Sequence, residues 1–145
     1  MLFELRQFKK EDALLIRDDA VDESVHGDST VKEWSDYNKK TGPAYTAVLY
    51  GRPIGCAGIR IMTTSDGENI GWVWAMFSKE AAQYPVSMFS TVKRMIGILI
   101  KDFELSRLVT DSRIGFDKSQ RLIEHLGFKK TDRQTDTHYY YELVR

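Results

Sequence analysis

Residues 70–78 read IGWVWAMFS, and three further segments follow in order: PVSMFSTVKRMIGILIKDF at 85–103, RLVTD at 107–111 and DKSQRLIEHLGF at 117–128. The first is apolar at nearly every position, the mark of a short central strand covered on both faces. In the second, Val86, Phe89, Val92, Ile96, Leu99 and Phe103 recur every three or four residues, while Lys93, Arg94, Lys101 and Asp102 fall mostly off that stripe. The period is helical, so the apolar stripe must lie on the sheet. Pro85 suits the first turn, because its missing N–H would have no intrahelical acceptor there. Gly97 costs roughly 1 kcal/mol relative to alanine inside a helix and predicts a close approach of helix to sheet. Strand, helix and strand require a crossover, which makes residues 70–78 and 107–111 a parallel pair at the sheet centre. In the fourth segment Asp117 and Gln120 have capping-box spacing, Gly127 can supply the left-handed residue that ends a helix, and Phe128 can pack back on Ile123.

Toward the N-terminus, residues 44–50 and 54–62 read as a hairpin about Gly51, Arg52 and Pro53, and residues 63–69 as the turn into the central strand. Residues 2–8 alternate as a first strand, and residues 11–19 carry Ala13, Leu14 and Ile16 for a short helix. Within the charged stretch 18–37, Val25, Val31, Trp34 and Tyr37 are spaced for a second helix with one apolar face. Residues 129–132 and 138–144 are the last strands, around a polar turn. The expected fold is α+β: a mixed, mostly antiparallel sheet of six or seven strands with about four helices across its faces, in one domain over residues 1–145.

The 145 residues are 42% hydrophobic and include three Trp, seven Tyr and seven Phe, enough for a substantial core. Lys plus Arg balance Asp plus Glu at 21 each, so no net field draws in nucleic acid or anionic lipid. The single cysteine, Cys56, excludes an intrachain disulfide and a cysteine-based metal site, and fits a reduced, cytoplasmic setting. Three scattered His residues lack metal-ligand spacing. The charged start from Arg6 to Asp12 and the lack of any long apolar run predict neither a signal region nor a membrane span. No serine nucleophile elbow or phosphate-loop motif occurs.

The order of elements resembles the GNAT acyltransferase superfamily over essentially the whole chain. The likeness rests on Gly51, Arg52, Pro53, Ile54 and Gly55 in the hairpin, on Arg6 followed by Glu11 and Asp12, and on a helix ending in Leu126, Gly127 and Phe128. The run from Trp72 through Pro85 to Gly127 is similar to small acetyltransferase-like proteins of tailed phages, some of them virion components. What the resemblance implies is direct transfer of an acyl group, usually acetyl, from acetyl-coenzyme A to an amine of a small molecule or protein. It also implies a site. Met76, Phe77 and Ser78, at the end of the central strand, would present backbone groups to the thioester and pantetheine. The amides of Val86, Ser87 and Met88, the Ser87 hydroxyl and Lys79 would meet the pyrophosphate at a helix N-terminus, where unsatisfied N–H groups and the helix dipole favour an anion.

Three departures from the family pattern stand against that site. The turn KEAAQYP at 79–85 has no glycine, Pro85 has no amide to give, and Glu80 adds negative charge. Phe116 stands where many members place Asn, and Ile123 where the tyrosine that protonates the departing thiolate would be. The central strand lacks the carboxylate that some members use as a base. Glu68, His26 and His138 are the candidate bases, each equally readable as a solvated or hydrogen-bonded structural group. His125 suits the C-terminus of its helix. Trp72 and Trp74 share one strand face and read as core or as the floor of an acceptor pocket. Tyr139, Tyr140 and Tyr141 alternate, so at least one leaves the hydrophobic layer. These departures keep a second reading open: a GNAT-fold binding or structural protein without catalysis, in a host cytoplasm or a virion. A homodimer is compatible with either. A cleft beside Phe77 is required by the enzyme reading; closed strands there would exclude it.

Overall fold

The computed structural model of the chain describes residues 3–144. Seven strands form one sheet in the order β1-β2-β3-β4-β5-β7-β6. They are β1 Glu4–Gln7, β2 Ala44–Leu49, β3 Arg52–Thr63, β4 Asn69–Phe77, β5 Arg107–Arg113, β6 Lys129–Gln134 and β7 His138–Val144. Every neighbouring pair is antiparallel except β4 and β5, which are parallel across the helical crossover. This is the expected α+β architecture, with β4 at its centre. Leu2, part of the first expected strand, lies outside the described residues.

Helices α1 Lys10–Arg17 and α2 Val31–Thr41 cover one face. There Phe8, Ala13, Ile16 and Val31 pack on Cys56, Trp74 and Met76. Gly58 makes room for that layer, since a Cβ on it would stand 2.8 Å from the Trp74 ring. Cys56 is a buried free thiol, and burial, helped by the charge of Asp12, pushes its ionisation up. Helices α4 Pro85–Phe103 and α5 Asp117–His125 cover the other face. Val92, Met95, Ile96 and Leu99 of α4 pack with Ala57, Ile59, Val73, Leu108, Ile123, Phe128 and Tyr141. A fully buried Val, Leu, Ile, Phe or Met side chain of this set contributes about 1.5–3 kcal/mol.

Several local expectations change. The hairpin turn is Tyr50 and Gly51, with φ of 51° and 78°, the pattern of a two-residue type I′ turn, so Arg52 and Pro53 belong to β3. The inner face of α2 is Val31, Ser35 and Asn38, while Tyr37 points outward and Val25 sits in a 3-10 turn, Glu23–Val25. Nothing lies within 4 Å of where a Gly97 Cβ would be, so the close approach expected there is not found. Phe116, one residue before Asp117, is the N-cap of α5, and Gln120 reaches back to the Arg113 carbonyl at 3.3 Å instead of closing a capping box. At the other end Gly127 takes φ 100°, and the Phe128 amide donates to the Ile123 carbonyl, as its sequence signature requires.

Candidate active site

Strands β4 and β5 stay in register over only three pairs, Ile70 with Arg107, Gly71 with Leu108 and Trp72 with Val109. One rung beyond, the Thr110 hydroxyl bridges to the Val73 carbonyl at 2.9 Å. Past that point the strands part, and a cavity of about 950 Å³ runs between them with walls from both helical layers. Ala75, in the middle of the central strand, is exposed. The sheet face is therefore uncovered at that level.

The direction of the unpaired backbone groups follows from strand alternation. The Ser78 amide donates to the Ile54 carbonyl on β3 (2.9 Å), so the polar groups of Phe77, Ala75 and Val73 point the other way, into the gap. Val73 receives Thr110 there, and the Phe77 carbonyl accepts from the Val21 amide at 2.8 Å. The Ala75 amide and carbonyl and the Phe77 amide thus face the gap at the level where the strands have separated.

Residues 19–22 cross the open end of the gap. The Lys79 amide donates to the Asp19 carbonyl (2.7 Å), Ala20 bridges to Ser78, and Asp22 pairs with Arg113 of β5 at 2.8 Å. His26 holds this segment through a ring nitrogen 2.8 Å from the Ala20 carbonyl. Asp28, also at the cavity, is kept below the usual carboxylate range by the hydroxyl and amide of Thr30.

The expected coenzyme residues separate into two groups. Met76, Phe77, Val86 and Met88 line the cavity. Ser78 is instead the N-cap of a one-turn helix, α3 Lys79–Ala82, where its hydroxyl accepts from the Ala81 amide at 3.1 Å. Its amide and carbonyl are also engaged, with Ile54 and Ala82. The Lys79 amide is engaged with Asp19, and the Met88 amide closes the first turn of α4 on the Tyr84 carbonyl (2.9 Å). Lys79 and Ser87 do not appear among the cavity-lining residues, whereas Lys118, Arg121 and His125 of α5 do. The His125 ring also lies 2.7 Å from the Arg121 carbonyl, as suits a helix end.

The three candidate bases are not brought together. Glu68 pairs with Arg107 at 3.3 Å, at the far end of β4 and roughly 30 Å along the strand from Phe77. His26 lies beyond the crossing segment and is engaged with its Ala20 carbonyl. His138 alone lines the cavity, with Nδ1 2.8 Å from the Thr137 hydroxyl. Beside it stands a residue that the sequence reading missed. Asp111 lies diagonally across β5 and β7 from His138, because β5 pairs Asp111 with Tyr140 and Arg113 with His138. Its half-buried carboxylate faces the cavity and makes no ion pair or side-chain hydrogen bond among the described residues. The signal was there: β5 runs to Arg113, and the alternation Leu108, Thr110, Ser112 buried against Val109, Asp111, Arg113 half-buried puts Asp111 on the α1–α2 face. Trp72, packed edge-on against Tyr140 at 5.9 Å, and Trp34 complete the aromatic wall on that side.

The architecture recurs in solved acetyltransferases. The GNAT domain of S. lividans PAT superposes with a TM-score of 0.77 at 13% identity, over 99% of this chain and 90% of that one. Aminoglycoside acetyltransferase AAC(6')-Ib, solved with ribostamycin and coenzyme A, gives 0.75 at 17% identity, over 100% and 94%. The ribosomal-protein-S5-alanine acetyltransferase from Vibrio fischeri gives 0.69 at 16%, over 99% and 93%. The chain has the GNAT fold. No protein-family model and no curated protein matches its sequence.

Proposed function

We propose that the protein is an N-acyltransferase that moves an acyl group, acetyl in the simplest case, from acyl-coenzyme A to an amine of a small molecule or protein in the cytoplasm. The observation that carries this reading is the parting of β4 from β5 at Ala75, which opens the centre of the sheet to both helical layers at once. A donor can enter from the α4–α5 side and an acceptor from the α1–α2 side, and they meet only in the gap.

The roles follow from the groups that face it. The Ala75 and Phe77 amides are placed to hold the pantetheine arm and to polarise the thioester carbonyl, whose oxygen gains charge as the amine adds. Met76 and Met88 supply apolar walls, and Ser78 and Lys79 fix the end of the strand. At the phosphate end, Val86 and Ser87 occupy the second and third positions of α4, and Lys118 and Arg121 provide the positive charge that a glycine-rich loop would otherwise replace with amides. Asp111 and His138 are the candidates to take the proton of the attacking amine. Substituting Asp111→Asn is expected to lower turnover at least about 10²-fold while acetyl-coenzyme A affinity stays the same.

The deciding experiment is calorimetric titration with acetyl-coenzyme A of the wild type and of Ala75→Trp, whose ring would fill the gap from an exposed position. Micromolar binding by the wild type that the variant loses, with unchanged circular dichroism, supports the reading and calls for an amine-acceptor screen. A folded wild type that binds nothing at millimolar coenzyme would instead favour an interaction protein. Pro85 and the occupied Met88 amide at the head of α4 are what speak for that second reading.

A further inference from the structure

Ser112 is 4% exposed, lines the cavity, and its hydroxyl has no hydrogen-bond partner among the described residues. A buried hydroxyl without a partner ordinarily costs stability, and groups left so in a folded protein are often reserved for a ligand. Its position is specific. Counting on from the last registered pair, Trp72 with Val109, Ser112 stands across the gap from Ala75. Its side chain shares the α4–α5 face with Thr110, whose hydroxyl already satisfies Val73. The other donors lining the cavity on that side, Lys118, Ser119, Arg121 and His125, stand on α5 and not on a strand that borders the gap. Phe89, Val92, Ile96, Leu122 and Ile123 are apolar.

We infer that the Ser112 hydroxyl donates a hydrogen bond to the sulfur of the coenzyme as the thiolate departs. The inference rests on the acyl-transfer reading and adds to it the group that Ile123 cannot supply. In the reaction the amine nitrogen forms a bond to the thioester carbonyl carbon, the C–S bond breaks, and sulfur leaves with the electron pair. The amine proton goes to the base on the other face. Ser112 keeps its own proton, since an alcohol is a weaker acid than a thiol. It lowers the energy of the leaving sulfur by a charge-assisted hydrogen bond.

The test needs no acceptor. The ultraviolet absorbance of the coenzyme A thiolate, followed against pH, reads the pKa of the bound thiol directly. In the wild type that pKa is expected to lie about 1–2 units below its value in Ser112→Ala, the shift one hydrogen bond to a charged group produces. Ser112→Thr should restore the low value. Tyr139, opposite Ser112 on β7, and Lys118, Arg121 and His125 of α5 are the titratable groups around the same wall and are unchanged between variants, so the difference isolates the hydroxyl. Desulfo-coenzyme A, which has no sulfur to accept, should bind wild type and Ser112→Ala equally. Equal thiol pKa values in the two proteins, or loss of desulfo-coenzyme A binding by the alanine variant, would overturn this inference alone. A wild type that binds neither coenzyme would overturn the acyl-transfer reading and this one with it.

Discussion

Asp12 is 2% exposed, yet its carboxylate is fully served: it accepts two bonds from Arg6 at 2.8 Å, one from the Lys9 amide at 2.9 Å and one from the Thr46 hydroxyl at 2.6 Å. Burial alone would raise its pKa, but those bonds and the charge of Arg6 outweigh burial and hold it below the ordinary value. A lowered folded pKa means that the carboxylate stabilises the fold fully above the unfolded value, about 3.9, and loses that contribution as pH falls through the folded one. The same residue caps the first turn of α1 and ties it to β1 and β2, so its loss is felt in three elements. Asp12→Asn is expected to destabilise by about 2–3 kcal/mol at neutral pH, the range for leaving a charged partner half-served when that partner, Arg6, keeps contact with water. Urea unfolding at pH 7 and again near pH 3 measures it. The gap between wild type and variant should narrow in acid, and a gap that stays constant would show that the charge is not what matters. Arg6 followed by Glu11 and Asp12 is recognisable in the sequence, but the sequence does not say that Thr46, 34 residues on, completes the shell.

At the scale of elements, the long periodic segments were legible and the short ones were not. The stripe of α4 and the unbroken apolarity of β4 are each set by which faces are buried, and burial leaves a period in the sequence. Turn and cap chemistry leaves weaker traces. Ser78 reads as the end of a strand and turns out to be the cap of α3, because a serine hydroxyl can satisfy a helix amide only if the chain bends directly after it. Tyr50 gives no hint of a left-handed turn residue, and at φ 51° it carries a steric cost that Gly51 beside it does not. Replacing Tyr50, 77% exposed, by Asn should therefore stabilise the hairpin by some tenths of a kcal/mol, read as a higher thermal midpoint. Gly97 gives a sharper test. With open space where its Cβ would be, Gly97→Ala should gain up to about 1 kcal/mol of stability from helix propensity. A loss on that substitution would mean that the helix does approach something there.

The whole molecule is a sheet in two parts, β1 to β4 on one side and β5, β7 and β6 on the other, joined by three registered residue pairs, the Thr110–Val73 bond and the α4 crossover. The strap from Asp19 to Asp22 closes the far end through Phe77 and Arg113. The sequence showed that β4 and β5 would be parallel neighbours. It did not show where they separate, because that depends on which backbone groups of two strands distant in sequence stay paired, and no local period reports on such pairing. The split has a consequence in solution. Along an ordinary central strand every amide is protected, whereas here Trp74 and Met76 donate toward β3 while Ala75 and Phe77 face the gap. Native-state hydrogen exchange should alternate along β4, with Trp74 and Met76 slow and Ala75 and Phe77 fast under the same conditions. Saturating acetyl-coenzyme A should slow Ala75 and Phe77 specifically, and Ala75→Trp should abolish the slowing. Uniform protection of residues 73–77 without ligand would mean that the strands close in solution, and the site between them would not exist.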